Sequence, residues 1–374
     1  MTFKFEAVEA AEMNPNRVIV YIMTLFMCVG AIDKILGNKR GYGKEFDEGF
    51  MSMGSLAIAL VGILSLAPVI AEILRPIVTP LYALFGADPA MFASTILAYD
   101  LGGYDLAMAM AMAGSSDVGV FSGLLHGSMM GVTIAFTIPF SLRAVDKEDY
   151  PYLARGILSG IVTIPIGCLV GGYIAGFDMN MVLRNLVPTF ILALAIGIGL
   201  LRIPETMIRG FAILGKAIMV VTTVGAAASI IQALTGFAII PGMNPASEAI
   251  LTVGTIAMML AGALPMVHFI KRVFSEPLTN LGRRLGLNQT AAVGLVLTIA
   301  NSVPMFIKVK EMNPRGKMVN MAFAVSASFM IAGNLGYVAR MNESMIIPVV
   351  VGKLVGGISA VMVALYLANK IEAA

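Results

Sequence analysis

Two aspartates and two tyrosines lie together in residues 98–107, which read AYDLGGYDLA. This stretch lies between two apolar segments, residues 89–97 before it and residues 107–113 after it. A carboxylate between apolar segments is costly and marks a functional site by default. The paired glycines favour unwound backbone, which a membrane tolerates only inside protein or around a cavity. We therefore predict that Tyr99, Asp100, Tyr104 and Asp105 line a binding site.

The composition places these residues in an all-α integral membrane protein. Of the 374 residues, 58% are hydrophobic and only 13% are charged, with a mean hydropathy of +0.89. Soluble domains carry about 25% charged residues. The net charge of +3 is small, and basic loops in such a chain report orientation, so no nucleic-acid partner is predicted. Cys28 and Cys168 both lie inside apolar runs, so no disulfide, metal site or cofactor is predicted.

Nine continuous apolar runs are long enough to predict spanning helices, because a helix needs ~20 residues to cross the hydrocarbon core. They lie at residues 17–36, 51–74, 120–142, 152–176, 186–203, 210–234, 250–274, 318–338 and 344–367. Two further runs are interrupted: the Asp100 stretch breaks residues 89–113, and the sequence NSVP at 301–304 breaks residues 289–309. Each half has about 10 residues, which is too short to span but suits a re-entrant hairpin.

The interrupted runs belong to an internal repeat. A shift of 200 residues places Glu48, Gly54, Ala57, Leu60, Gly62 and Leu64 on Glu248, Gly254, Ala257, Leu260, Gly262 and Leu264. Nearly the same shift places the Asp100 break on the Asn301 break. We therefore predict a first repeat with its preceding helix in residues 1–176, a linking helix in 177–209 and a second repeat in 210–374.

Loop charges indicate how the two repeats are oriented. The first copy of the aligned helix is preceded by Lys39, Arg40 and Lys44, whereas the second copy ends near Lys271 and Arg272. Because basic loops stay in the cytoplasm, the two copies run in opposite directions and the repeats are inverted. The charge bias is preserved only if both interrupted runs re-enter. This predicts an outer amino terminus, which is retained because Glu6, Glu9 and Glu12 do not fit a signal peptide, and an inner carboxyl terminus.

Inverted repeats whose broken elements meet near the midplane are typical of secondary transporters. The first hairpin tip supplies two carboxylates and two tyrosines, and the second supplies Asn301 and Ser302, while Asn334 lies in a later run. A pocket that is acidic on one side and amide-lined on the other favours a small ammonium compound with a hydroxyl group. The predicted substrate-binding residues are Tyr99, Asp100, Tyr104, Asp105, Asn301, Ser302 and Asn334.

Each of these residues also has a structural interpretation. Asp100 could serve only as the partner of Lys353 or Lys216, which lie inside apolar runs, and Asn301 could only cap a broken helix. The tyrosines could mark the membrane interface, Asn334 could join helices, and His126 is better explained as a bonded core residue than as a proton relay. A membrane enzyme acting on lipid head groups is a second class of function. The sequence has neither a His-Glu-x-x-His nor a Gly-x-Ser-x-Gly motif, which argues against catalysis.

Several motifs, in this order, resemble those of the ethanolamine-utilisation permease family of bacteria, the EutH type. They are GFMSMG at 49–54, DLGG at 100–103, GSMMG at 127–131, GIVTIPIGC at 160–168 and ANSVPMF at 300–306. The resemblance covers nearly the whole chain and implies uptake of ethanolamine across the bacterial cytoplasmic membrane by a multi-pass permease. The hairpin plan also resembles concentrative nucleoside transporters at the level of fold. The expected partners are ethanolamine or a similar small cation, the lipid bilayer and further copies of the chain; a channel-like facilitator is the alternative within transport.

Overall fold

Helices form almost all of the structure, a computed structural model that describes residues 15–331 and 333–372. The predicted outer amino terminus, with Glu6, Glu9 and Glu12, lies outside these ranges. The helices are α1 (Pro15–Ile35), α2 (Tyr42–Ala83), α3 (Ala90–Ile96), α4 (Gly103–Met110), α5 (Ser116–Val120), α6 (Ile138–Ala144), α7 (Tyr150–Ile174), α8 (Met179–Arg202), α9 (Pro204–Thr235), α10 (Ala246–Arg284), α11 (Gln289–Ala300), α12 (Val303–Ile307), α13 (Pro314–Ala327), α14 (Gly333–Met341) and α15 (Ile346–Glu372).

Eight helical segments within the described ranges are long and apolar enough to cross a membrane. They are Pro15–Ile35, Ala57–Ala83, Ser116–Ala144, Tyr150–Ile174, Met179–Leu200, Glu205–Thr235, Ala246–Phe274 and Glu343–Lys370. One of them, Ser116–Ala144, runs from α5 to α6 through π-helical turns at Phe121–Gly131 and Thr133–Thr137. The chain is therefore a multi-pass membrane protein, and eight of the nine predicted spans coincide with these segments.

The ninth predicted span, at residues 318–338, is wrong as a continuous helix. It is broken between α13, which ends at Ala327, and α14, which begins at Gly333. Phe329 adopts a φ of 59°, a left-handed conformation that is rare for a bulky residue. The freed backbone is bonded by a neighbouring helix, because the amides of Phe329 and Ile331 donate to the carbonyls of Thr298 and Ile299 in α11 at 3.2 and 3.3 Å.

The first interrupted run folds into two short helices, α3 and α4, which pack side by side. Asp88 holds their open ends together, because its carboxylate accepts from the amide of Ala90 at 2.8 Å and from the amide of Met112 at 3.3 Å. Burial raises the pKa of the Asp88 carboxyl, while these two bonds and the nearby Arg75 guanidinium oppose that rise. We call this pair of helices the first hairpin.

The second interrupted run has a longer first arm, α11, and a short returning arm, α12, followed by a 3₁₀ turn at Val309–Glu311. Its open end is also held by side chains. The Asn288 amide donates to the carbonyl of Glu311 at 2.8 Å, and the Asn313 amide donates to the carbonyl of Gly286 at 2.9 Å. We call α11 and α12 the second hairpin.

The two hairpins open toward opposite ends of the α5–α6 helix. The first hairpin ends immediately before Ser116, where this helix begins. The open end of the second hairpin contacts the loop that follows Ala144, through ion pairs from Lys310 to Asp146 at 2.9 Å and from Lys317 to Asp149 at 2.6 Å. The helix has 29 residues, so the two ends are separated by about 40 Å.

Close contacts between small residues hold the long helices together around the hairpins. A Cβ atom added at Gly167 would lie 2.4 Å from the carbonyl oxygen of Gly352, and one added at Gly156 would lie 2.6 Å from that of Met318. Helix α7 therefore packs directly against α13 and α15, which is the small-residue packing that helices use in membranes. The division into two repeats and a linking helix stays a prediction.

Candidate functional site

The Asp100 stretch forms the tip of the first hairpin. Tyr99 and Asp100 lie in a 3₁₀ turn, Tyr99–Leu101, and Asp105 lies in the first turn of α4. Gly102 between them has a φ of 80°, and a Cβ atom there would lie only 1.6 Å from Cγ2 of Ile63 in α2. The tip therefore needs glycine for two reasons, backbone conformation and space.

Tyr337 from α14 completes this group and was not predicted from the sequence. Its ring centre is 5.0 Å from that of Tyr99, and its hydroxyl donates to the Asp105 carboxylate at 3.4 Å. Its side chain is 1% exposed and interacts electrostatically with Tyr99, Asp100, Tyr104 and Asp105. We call these five residues the tyrosine–aspartate cluster. A single tyrosine in a run assigned to a spanning helix gave no sign that it faced the hairpin.

Lys353 from α15 adds one positive charge beside the cluster. Its side chain is 0% exposed, and its ammonium donates to the carbonyl of Ser128 in the π-helical segment at 2.5 Å. It also interacts electrostatically with the Asp100 carboxylate. Of the two lysines considered from the sequence as partners of Asp100, Lys353 bonds a segment that lies against the hairpin tip, since a Cβ atom at Gly127 would be 3.7 Å from Cβ of Tyr99, whereas Lys216 is exposed on α9.

Asn334 lies at the start of α14, shortly after the break that interrupts the predicted span at residues 318–338. The preceding residue, Gly333, is next to the hydroxyl of Tyr99, which would be 3.9 Å from a Cβ atom at that position. The Asn334 side chain is buried, and neither its oxygen nor its nitrogen has a partner among the described residues. A buried amide without partners is costly, which makes Asn334 a candidate for contact with a ligand.

Asn301 and Ser302 lie at the tip of the second hairpin. Among the described residues, no hydrogen bond or ring contact joins them to the tyrosine–aspartate cluster. The Asn301 side chain is exposed and accepts from the amide of Val303 at 2.9 Å, as a helix cap does. Ser302 is 0% exposed, and its hydroxyl has no partner among the described residues. The structure therefore brings the four predicted residues of the first hairpin together and places Asn334 beside them, whereas the Asn301 side chain has a capping bond.

His126 is a bonded core residue. Its Nδ1 lies 2.8 Å from the hydroxyl of Ser94, and its Nε2 lies 2.8 Å from the hydroxyl of Thr189. The same Ser94 hydroxyl accepts from Ser122 at 2.8 Å. These bonds tie α3 of the first hairpin to the π-helical segment and to α8, so His126 positions the hairpin arm.

The charges in this region determine which ligands it can hold. The cluster contains two aspartates and has one buried lysine, Lys353, beside it, so its fully ionised form is one positive charge short of balance. The cluster also contains three tyrosines, of which Tyr99 and Tyr337 are in ring contact, and aromatic faces attract cations. Within the described residues no group of three or more histidine, cysteine, aspartate or glutamate side chains could hold a metal ion. Buried carboxylates beside aromatic rings are groups that can bind a small cation.

Comparisons with known proteins identify the family. The family model described as "Ethanolamine utilisation protein, EutH" matches residues 15–367. A Listeria monocytogenes protein named "Probable ethanolamine permease EutH" is 54% identical over 96% of this chain and 95% of its own length. A Salmonella typhimurium protein of the same name is 43% identical over 97% of this chain and 98% of its own length. "Uncharacterized protein YxeR" of Bacillus subtilis is 47% identical over 95% of each chain. No solved structure matches the chain significantly. The chain belongs to the EutH family.

Proposed function

We propose that this protein takes up protonated ethanolamine across the bacterial cytoplasmic membrane by alternating access. The names of its relatives indicate ethanolamine as the substrate. The tyrosine–aspartate cluster supplies the acidic and aromatic groups that would bind its ammonium. The observation that carries the proposal is the charge deficit. Two aspartates, Asp100 and Asp105, lie at the hairpin tip with one buried lysine, Lys353, beside it; with all three groups ionised, protonated ethanolamine supplies the one positive charge that the site lacks.

Both ends of ethanolamine find a matching group. The ammonium lies between the carboxylates of Asp100 and Asp105, against the rings of Tyr99 and Tyr337, where charge-assisted hydrogen bonds and ring contacts act together. The hydroxyl bonds to the free amide of Asn334, which can both donate and accept. We assign Ser302 to the same role once the second hairpin moves toward the site.

Access alternates between the two hairpins. Their open ends lie toward opposite ends of the α5–α6 helix, so each hairpin can expose the cluster to one side of the membrane. Corresponding residues support the inverted repeat. Gly86 and Gly286 have φ values of 66° and 78°. Each lies two residues before a side chain that bonds across the open end of its hairpin, Asp88 in the first and Asn288 in the second. We further propose that the protein acts as a homo-oligomer in the bilayer.

Uptake of labelled ethanolamine into proteoliposomes at mildly acidic pH tests the proposal. We expect saturable uptake and counterflow, both of which Asp100→Asn abolishes because the remaining Asp105 and Lys353 balance each other and leave no charge for the substrate. Asp117→Asn is the matched control, since Asp117 is an exposed aspartate at the start of α5. Full transport by Asp100→Asn would refute the proposed site.

Two alternatives predict different results in the same vesicles. A channel-like facilitator gives uptake that does not saturate and shows no counterflow. A carrier of a related amino alcohol would bind its own substrate better in calorimetry with ethanolamine, choline, serine and uridine. Choline cannot donate hydrogen bonds from its ammonium, and serine adds a carboxylate, so we expect both to bind more weakly than ethanolamine.

A further inference from the structure

We propose that Lys353 is the internal counter-cation that allows the empty transporter to change the side it faces. This inference rests on the proposed function and adds a role that substrate binding does not need. It predicts that removing the lysine charge separates net uptake, which requires the empty protein to reorient, from exchange, in which the protein is loaded in both directions.

Lys353 is held in place by contacts within the protein itself. Its ammonium is fully buried and bonds the carbonyl of Ser128. In a regular α-helix that carbonyl would accept from the amide of Val132, but Val132 donates instead to the carbonyls of Gly127 and Met129. The π-helical segment therefore offers the Ser128 carbonyl to the lysine, and π-helical turns occur often at functional sites.

Counting the charges gives the consequence. With all three groups ionised, the empty cluster and Lys353 have two negative charges and one positive charge, a net of −1, and the substrate cation brings the net to zero. In Lys353→Met the empty site has a net of −2 and the loaded site has a net of −1. The loaded variant thus has a net charge of −1, which is the charge of the empty wild-type protein when it reorients. The empty variant has a net charge of −2, which the wild-type protein never has.

An unbalanced charge is costly to carry through an apolar environment, so only the empty variant is trapped. Methionine keeps the length and apolar stem of lysine, which preserves the packing of α15. The experiment compares net uptake of labelled ethanolamine into empty vesicles with counterflow into vesicles preloaded with unlabelled ethanolamine. We expect Lys353→Met to lower the ratio of net uptake to counterflow at least about tenfold, which corresponds to ~1.4 kcal/mol of barrier.

A double variant shows whether a low ratio in Lys353→Met comes from the lost charge or from a folding defect. Asp100→Asn combined with Lys353→Met removes one charge of each sign, so the empty and loaded sites regain the wild-type nets of −1 and zero. We expect its ratio of net uptake to counterflow to return to the wild-type value, although its affinity is lower. Lys353→Arg keeps the charge and should also keep the ratio.

Lys216→Met is the matched control, because Lys216 is a lysine in a spanning helix whose side chain is exposed rather than buried. Its ratio should equal that of the wild-type protein. A parallel fall of net uptake and counterflow in Lys353→Met, or a double variant whose ratio stays low, would overturn the role of Lys353 while leaving the proposed function intact. A wild-type protein that shows neither mode would instead overturn the proposed function itself.

Discussion

Replacing Asn334 by leucine should stabilise the protein without substrate and should weaken substrate binding. One substitution is thus expected to raise stability and lower affinity. Both polar atoms of the Asn334 amide are buried without a partner among the described residues. Leucine has the same branched skeleton of four side-chain heavy atoms and is somewhat larger, so the change removes the desolvation cost without creating a cavity. A buried unsatisfied polar group costs about 1–3 kcal/mol, which is the expected gain in the free energy of unfolding.

The same substitution removes the bond that we assign to the substrate hydroxyl. A neutral hydrogen bond contributes about 1 kcal/mol, so the affinity for ethanolamine should fall about fivefold. The matched control is Asn320→Leu in α13. The Asn320 amide donates to the carbonyls of Ala291 and Gly316 at 2.9 and 3.0 Å, so its loss should lower stability by about 1–3 kcal/mol.

A thiol-reactive dye can follow unfolding, because the chain has no tryptophan and Cys168 is fully buried. Cys28 is exposed and is first replaced by alanine to remove the background signal. Calorimetry with ethanolamine then gives the affinity of each variant. A lower melting temperature for Asn334→Leu would show that the amide is bonded in the empty protein, and an unchanged affinity would show that it does not meet the substrate; either result refutes the reasoning.

Three further predictions concern the first hairpin. Gly102→Ala should abolish transport, because the new methyl group meets Ile63 and the positive φ adds about 1–2 kcal/mol of strain; Ile63→Ala in the same chain should restore uptake only in part, as measured in vesicles. Tyr337→Phe keeps the ring beside Tyr99 but removes the 3.4 Å bond to Asp105, so substrate affinity should fall about twofold to fivefold in calorimetry, and a larger loss would indicate a shorter bond. Asp88→Ala removes both bonds at the open end of the hairpin and should lower the free energy of unfolding by about 1–3 kcal/mol in the dye assay; unchanged stability would show that the carboxylate does not hold the hairpin.

The site was predicted from the sequence to different degrees, for physical reasons. Asp100 and Asp105 stand out because a charge among apolar residues is rare, and Gly102 because a broken helix needs it. Tyr337 carries no such signal, since a tyrosine in an apolar run has several ordinary explanations. Lys353 was noticed as a charge, but its position beside Asp100 depends on how α15 packs against the π-helical segment.

The sequence by itself determined that this is an all-helical membrane protein and where most of its spans lie, because the length of an apolar run sets whether a helix can cross the bilayer. It also determined that the backbone breaks at the Asp100 stretch. Only the tertiary structure decided that residues 328–331 break as well, since the carbonyls of Thr298 and Ile299 that bond this break belong to another helix. Backbone in a membrane leaves the helical path only where such distant partners replace its own hydrogen bonds, and those partners are not encoded in the local sequence.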